Sequence, residues 1–377
     1  MIALLSFPLS ASTVTWNGAA GDGSVSDGGN WVGGTAAPSG SDLVFASDTG
    51  GGGGIVGFDA SITFNAPTVT FSAGAPAFTV TAASASDILN ITGTGTALTN
   101  SSSFLQTSNL ITIQVGAATQ TWDGGASGLS ISAIDLQNNH ILTLAGMGTG
   151  SQGNVVTQKI TGTGTSGIVK TGTGTLTLNN TLANDYTGQT TVAGGTLIMT
   201  GANSGTGAFT IDGAASVLKL GASNRIATGS AITLSNGGTL NLNGFHDTVG
   251  TLTGGSPGKT FIDFGAGSTS ASIAFANSSA QSWLGQLHIE NFNTGDTLPF
   301  GNSSSGLTGT ELSNLFFDSG TATDNTGTQI GQISAVGVVT PTTVPEPGGA
   351  LLAAFGLLPL LACRRRGILC RLGARRC

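Results

Sequence analysis

From Gly167 the chain reads Gly-Ile-Val-Lys170-Thr-Gly-Thr-Gly-Thr-Leu176-Thr-Leu178, and after residues 179–185 it continues Tyr186-Thr-Gly-Gln-Thr-Thr-Val192-Ala-Gly-Gly-Thr-Leu197-Ile-Met199. Leu176 and Leu178 alternate with Thr175 and Thr177, the two-residue period of a strand with one buried face. Gly194 and Gly195 form a turn between two such strands. The same unit recurs as Ile211-Asp-Gly-Ala-Ala-Ser-Val217-Leu-Lys-Leu220 and as Leu234-Ser-Asn-Gly-Gly-Thr-Leu240-Asn-Leu242, led in turn by Val192, Ile211 and Leu234. A period of roughly 20 to 25 residues predicts a solenoid, because no unit of that size buries its own apolar face and neighbouring coils must stack into one core.

Composition agrees with that reading. Of 377 residues 62 are Gly and 54 are Thr, and only 8% are charged. Charged residues normally make up about a quarter of a soluble domain, so an all-α surface cannot be written with this inventory. Gly and Thr are poor helix residues, and Thr suits a pleated strand. The 39% of hydrophobic residues exceeds what disordered chains carry. The expected class is all-β.

The Gly167–Leu197 stretch closely resembles the autotransporter-associated β-strand repeat, also called the passenger-associated transport repeat. The matching positions are Gly167, Lys170, Gly172, Gly174, Leu176, Leu178, Tyr186, Gly188, Thr190, Val192, Gly195, Thr196 and Leu197. The clearest copy spans residues 166–199. The resemblance implies a right-handed parallel β-helix of the pectin-lyase-like kind, as in bacterial surface and secreted passenger domains. At about 22 residues per coil, residues 13–255 would make roughly eleven coils, with threonine ladders on the outer faces. Trp16 and Trp31 are expected to cover the first coil, because an open solenoid end exposes unpaired strand edges. From about residue 256 aromatics increase, and residues 256–339 read as terminal coils or a β cap.

Both termini carry targeting features. Residues 1–12 are apolar and end in small residues, as in a truncated signal peptide without its basic region, or they form a first strand or cap. Residues 340–349 are a proline-rich linker. Residues 350–362 are uncharged and apolar, reading as a short transmembrane helix, and 350–377 as that helix with its basic tail. Six of the eleven basic residues lie in the last fourteen positions, and up to Ala362 five basic residues stand against eighteen acidic ones. The order of linker, apolar run and Arg364-Arg365-Arg366, with Val344-Pro345-Glu346-Pro347 ahead of it, resembles the PEP-CTERM sorting domain. That resemblance implies cleavage near Glu346 by an exosortase-type membrane protease. The positive-inside rule independently keeps the basic tail cytoplasmic and exports the acidic body. All three cysteines lie in the tail, so the body has no disulfide.

Chemistry is sparse. The acidic body lacks the cationic surface that nucleic acids require. Glycoside hydrolysis needs two converging carboxylates. Asp22 with Asp27 and Glu290 with Asp296 instead read as solvated turn residues, and Arg225 is the only Arg before the tail that could serve a lyase. His140, His246 and His288 stand apart, so no metal site is expected. Gly162-Thr-Gly164-Thr-Ser-Gly167 fits a dinucleotide motif without the helix it needs. Gly254-Gly-Ser256-Pro-Gly258 reads as a turn. Trp122 and Trp283 would serve sugar stacking if exposed, although core packing suits them better. The expectation is a non-enzymatic, exported surface or matrix protein, transiently anchored through residues 350–362 and structural or adhesive in an extracellular polysaccharide, with no cofactor. The competing reading is a β-helix polysaccharide-active enzyme or a carbohydrate-binding protein.

Overall fold

A computed structural model describes residues 11–58, 63–84, 86–146, 154–255, 257–267, 270–318 and 329–342. Eleven strands follow one another in chain order through one sheet: Thr13–Trp16, Asp42–Phe45, Val69–Phe71, Gly95–Asn100, Thr119–Asp123, Ile141–Ala145, Gly167–Lys170, Thr190–Val192, Phe209–Asp212, Ile232–Ser235 and Leu252–Gly254. The neighbours are parallel, as in Leu144↔Lys170 and Val192↔Ile211. The chain returns to this sheet once per turn, so the protein is an all-β parallel solenoid of about eleven turns. At about 4.8 Å per rung the stack is about 50 Å long. A 3-10 turn at Gly28–Asn30 and a five-residue helix at Gly309–Ser313 are the helical segments among the described residues.

A second sheet runs alongside, through Ile55–Phe58, Thr79–Ala82, Gln106–Asn109, Leu129–Asn138, Asn154–Thr163, Thr175–Leu178, Gly195–Met199, Ser216–Leu220, Thr239–Asn241, Lys259–Asp263, Gln286–Glu290 and Leu315–Phe317. The uniform coil length expected from the repeat is corrected here. Early turns carry a third strand, in Thr63–Ala66, Ile88–Ile91 and Thr112–Val115. Those turns are long, for Leu43 pairs with Val69 and Val69 with Leu98. Two ten-residue strands, Leu129–Asn138 and Asn154–Thr163, absorb that third ladder into the second sheet. Later turns are shorter, with Lys170 paired to Val192 and Val192 to Ile211.

Alternation along each strand sends every second residue inward, and parallel register stacks those residues. Leu176, Leu197, Leu218, Leu240, Ile262 and Ile289 form one such stack, all fully or almost fully buried. Each contributes about 1.5 to 3 kcal/mol by leaving water. Aliphatic residues dominate the middle of the core, with Trp122, Tyr186 and Phe209 among them, and aromatic rings cluster at both ends. At the N-terminal end Trp16 and Trp31 meet edge-on with ring centroids 5.1 Å apart, and both are buried. Val32 N donates to Thr15 O at 2.9 Å, so the chain after Trp31 folds back over the first strand as the sequence suggested. At the other end the parallel order stops. Gln329–Ile333 runs antiparallel to Leu315–Phe317, and Val338–Pro341 pairs antiparallel with both Gln329–Ile333 and Leu298–Pro299. This hairpin covers the last rung.

Candidate functional site

The repeat segment is the densest set of specified positions, and each has a local cause. Lys170 takes an inward position between Leu144 and Val192, and it is completely buried. Its Nζ donates to Thr171 O at 2.8 Å, Gly172 O at 3.0 Å and Gly194 O at 3.0 Å, joining the turns of two successive coils. These partners are carbonyls rather than carboxylates, and burial pulls the amine from its ordinary 10.5 down to about 8. Tyr186 is also completely buried, its hydroxyl 2.6 Å from Thr190 Oγ1. Burial pushes the phenol up to about 12, against the opposing hydrogen bond from Thr190. Gly195 turns with φ +63°. Gly188 lies so close to the coil below that a Cβ there would collide with Thr165 O and Ser166 O. Between the strands Asn184 Oδ1 accepts from Ile160 N at 2.8 Å, and Asn180 Nδ2 donates to Ala202 O at 2.9 Å, so side-chain amides bridge coils where backbone pairing lapses.

The outer face of the eleven-stranded sheet carries a single row of β-branched residues: Thr96, Thr121, Thr143, Val169, Thr191, Thr210, Thr233 and Thr253. None of them is buried. Thr210 Oγ1 accepts from Gln189 Nε2 at 2.6 Å and Thr253 Oγ1 donates to Gln281 Oε1 at 3.0 Å. The row offers neutral hydroxyls and methyls about every 4.8 Å along a line.

Asp22 and Asp27 meet in one turn, and a second group of carboxylates converges where reading by neighbouring residue numbers missed it. Glu290 does not join Asp296, whose oxygens accept from Ala271 N and Asn293 N in a turn. It lies in register with Asp263 instead, and Asp318 follows Phe317 on the next rung. Glu290 is raised by burial first and then by the charges of Asp263 and Asp318. Each of these positions is one local coil from the next, and that spacing was the signal available in the sequence. His288 on the same strand is 2% exposed, with Nδ1 2.9 Å from Asp318 Oδ2. It stacks on Phe316 at 5.4 Å and meets the tilted ring of Phe261 at 5.7 Å.

The remaining candidates sit in structural roles. Asp22 Oδ1 accepts from Ser24 N and Asn30 Nδ2, which lowers its pKa, and Asp27 caps the 3-10 turn. Arg225 donates to Ser223 O and Thr200 O, and His140 Nδ1 is 2.6 Å from Val115 O. Gly162 and Gly167 lie in two strands joined by a turn, with no helix between them. Sugar stacking by Trp122 or Trp283 is ruled out by their burial, at 0% and 9% exposure. Trp122 Nε1 donates inward to Gln120 Oε1. Among the described residues no group of three or more His, Cys, Asp or Glu could hold a metal ion, and no helix is long and apolar enough to cross a membrane. Val344, Pro345, Glu346, Pro347, the apolar run 350–362 and Arg364, Arg365 and Arg366 lie outside the described residues.

Among curated proteins and among solved structures, nothing matches the chain. The family model of the passenger-associated transport repeat matches it twice, at residues 168–199 and 194–214, so a second copy follows directly on the one the sequence made plain.

Proposed function

We propose that this chain is an exported bacterial surface or matrix protein, in which the solenoid is a non-enzymatic passenger and the C-terminal segment a sorting signal. The observation that carries this reading is the passenger-associated repeat at residues 168–214, seated within a parallel solenoid whose coils it spans. The proposed coil is right-handed and pectin-lyase-like, the hand that parallel crossovers favour. In this reading Val344-Pro345-Glu346-Pro347 is cut by an exosortase-type protease, residues 350–362 anchor the chain transiently in the cytoplasmic membrane, and Arg364, Arg365 and Arg366 hold the tail inside. The neutral threonine row supports an adhesive partner that is itself neutral and extended, an extracellular polysaccharide.

The test is cell fractionation of the full chain with and without replacement of Arg364, Arg365 and Arg366 by Ser, followed by mass spectrometry of both mature ends. Surface protein ending near residue 346 in the wild type, and retained precursor in the variant, are the expected results. Cytosolic, full-length protein in both strains would refute the reading.

A further inference from the structure

Asn-Gly occurs three times in the chain, at Asn17-Gly18, Asn236-Gly237 and Asn243-Gly244. Two of these pairs form tight turns of the same build. Asn236 and Gly237 have φ +50° and +89°, and Gly238 N donates to Ser235 O at 2.9 Å. Asn243 and Gly244 have φ +52° and +81°, and Phe245 N donates to Leu242 O at 2.9 Å. Positive φ at both central residues defines the type I′ turn, which Asn and Gly favour. Both asparagines are exposed. What the neighbouring coil does to each turn differs. Gly244 N donates to Phe264 O at 2.9 Å, and Gly265 of that coil packs so closely that a Cβ on it would lie 2.9 Å from Gly244 N. At the N-terminal end Gly18 N is likewise engaged, donating to Asn30 O at 3.2 Å. Among the described residues, Gly237 N is the one amide of the three that donates no hydrogen bond.

The backbone amide that follows an asparagine is the nucleophile that closes a five-membered ring on its side chain, and glycine, with no Cβ, hinders that closure least. We propose that Asn236-Gly237 is a site of spontaneous covalent modification, converted by water to aspartate and isoaspartate ahead of the other two pairs. In the first step Gly237 N bonds to Cγ of Asn236, the Cγ–Nδ2 bond breaks, and the proton lost from Gly237 N leaves with Nδ2 as ammonia. Water then opens the succinimide at either carbonyl. The sum exchanges one ammonia for one water, with no oxidant or reductant. The product alters the stack. Asp212 lies in register with Ser235 on the preceding coil, and its Oδ1 accepts from Asn236 Nδ2 at 2.6 Å and from Ser235 Oγ at 2.9 Å. A carboxylate at position 236 replaces a donor facing Asp212 with a second negative charge, so a tie between coils becomes a repulsion.

Peptide mapping by mass spectrometry reads the site in the folded full chain, incubated in mildly alkaline water enriched in oxygen-18. Asn236 is expected to convert about tenfold faster than Asn243 or Asn17, the factor that breaking one backbone hydrogen bond of about 1.4 kcal/mol makes in a rate. In urea, where no coil holds an amide, the three rates should converge. No conversion at Asn236, or conversion at Asn243 or Asn17 that is as fast, would overturn the assignment. So would the same spread of rates in urea, because the difference would then lie outside the fold. Asn236→Asp, which installs the product charge, is expected to melt about 2 °C below the wild type, and in an Asp212→Asn background that difference should vanish. An undiminished difference in that background, or none in the wild-type one, would overturn the repulsion between coils.

Discussion

Lys170 allows a quantitative test of how the repeat is built. Its amine lies between Leu144 and Val192 in an apolar stack and donates to three carbonyls. Burial lowers it from 10.5 to about 8. Below about pH 8 folded and unfolded chains both hold the proton, and this group adds no pH dependence. Between about 8 and 10.5 the unfolded chain keeps the proton and the folded one releases it, so stability rises with pH. The full shift corresponds to a ceiling of about 3 kcal/mol. Tyr186 acts in the opposite sense. Pushed up to about 12, it contributes stability that is complete below about pH 10 and is lost above it. Taken by themselves, the two contributions sum to a maximum near about pH 10. Lys170→Met keeps a flexible apolar chain in the stack and removes the titration. Urea midpoints followed by circular dichroism at about pH 7.5, 8.5 and 9.5 should rise for the wild type and stay level for Lys170→Met. Parallel curves for the two proteins would refute the placement of a charged amine inside the stack.

Other substitutions test the rungs individually. Leu197→Ala, which opens a void between Leu176 and Leu218, should cost about 2 to 5 kcal/mol in thermal or urea unfolding. Gly207→Ala would drive a Cβ into Gly188 O, whereas Gly74→Ala meets nothing within 4 Å. The first should prevent soluble expression or lower the melting temperature by more than about 5 °C, and the second should leave it unchanged. Trp31→Ala removes the edge-on partner of Trp16 at the open end and should cost about 3 to 5 kcal/mol. Protease cleavage would then appear first within residues 13–45.

The fold was legible where alternation is strict. Leu176, Leu178, Leu197, Leu218 and Leu240 each face inward, with Thr177, Ile198, Lys219 and Asn241 at the outward positions of those strands, so the coil could be counted from residue numbers. The third strand of the early turns was not legible. Thr63–Ala66 and Ile88–Ile91 share the alternation of their neighbours, and nothing local tells which ladder a short strand joins. The inward position of Lys170 follows from Ile168 two positions before it, but its partners are backbone carbonyls, which no side-chain pattern encodes. The grouping of Asp263, Glu290 and Asp318 stayed hidden because the coils there are longer than those of the repeat, and a contact across rungs is visible only when the local coil length is known.

The two ten-residue strands, Leu129–Asn138 and Asn154–Thr163, occur once, where three-stranded turns give way to two-stranded ones. A rod of interchangeable rungs has a hazard of its own: any coil can settle on the wrong neighbour, shifting the stack by one whole turn while keeping nearly every leucine contact. Here a slip of that kind would set a three-stranded turn against a two-stranded one and strand half of a long strand without hydrogen bonds. The change of cross-section therefore serves as an index mark, fixing the order of coils on each side of it.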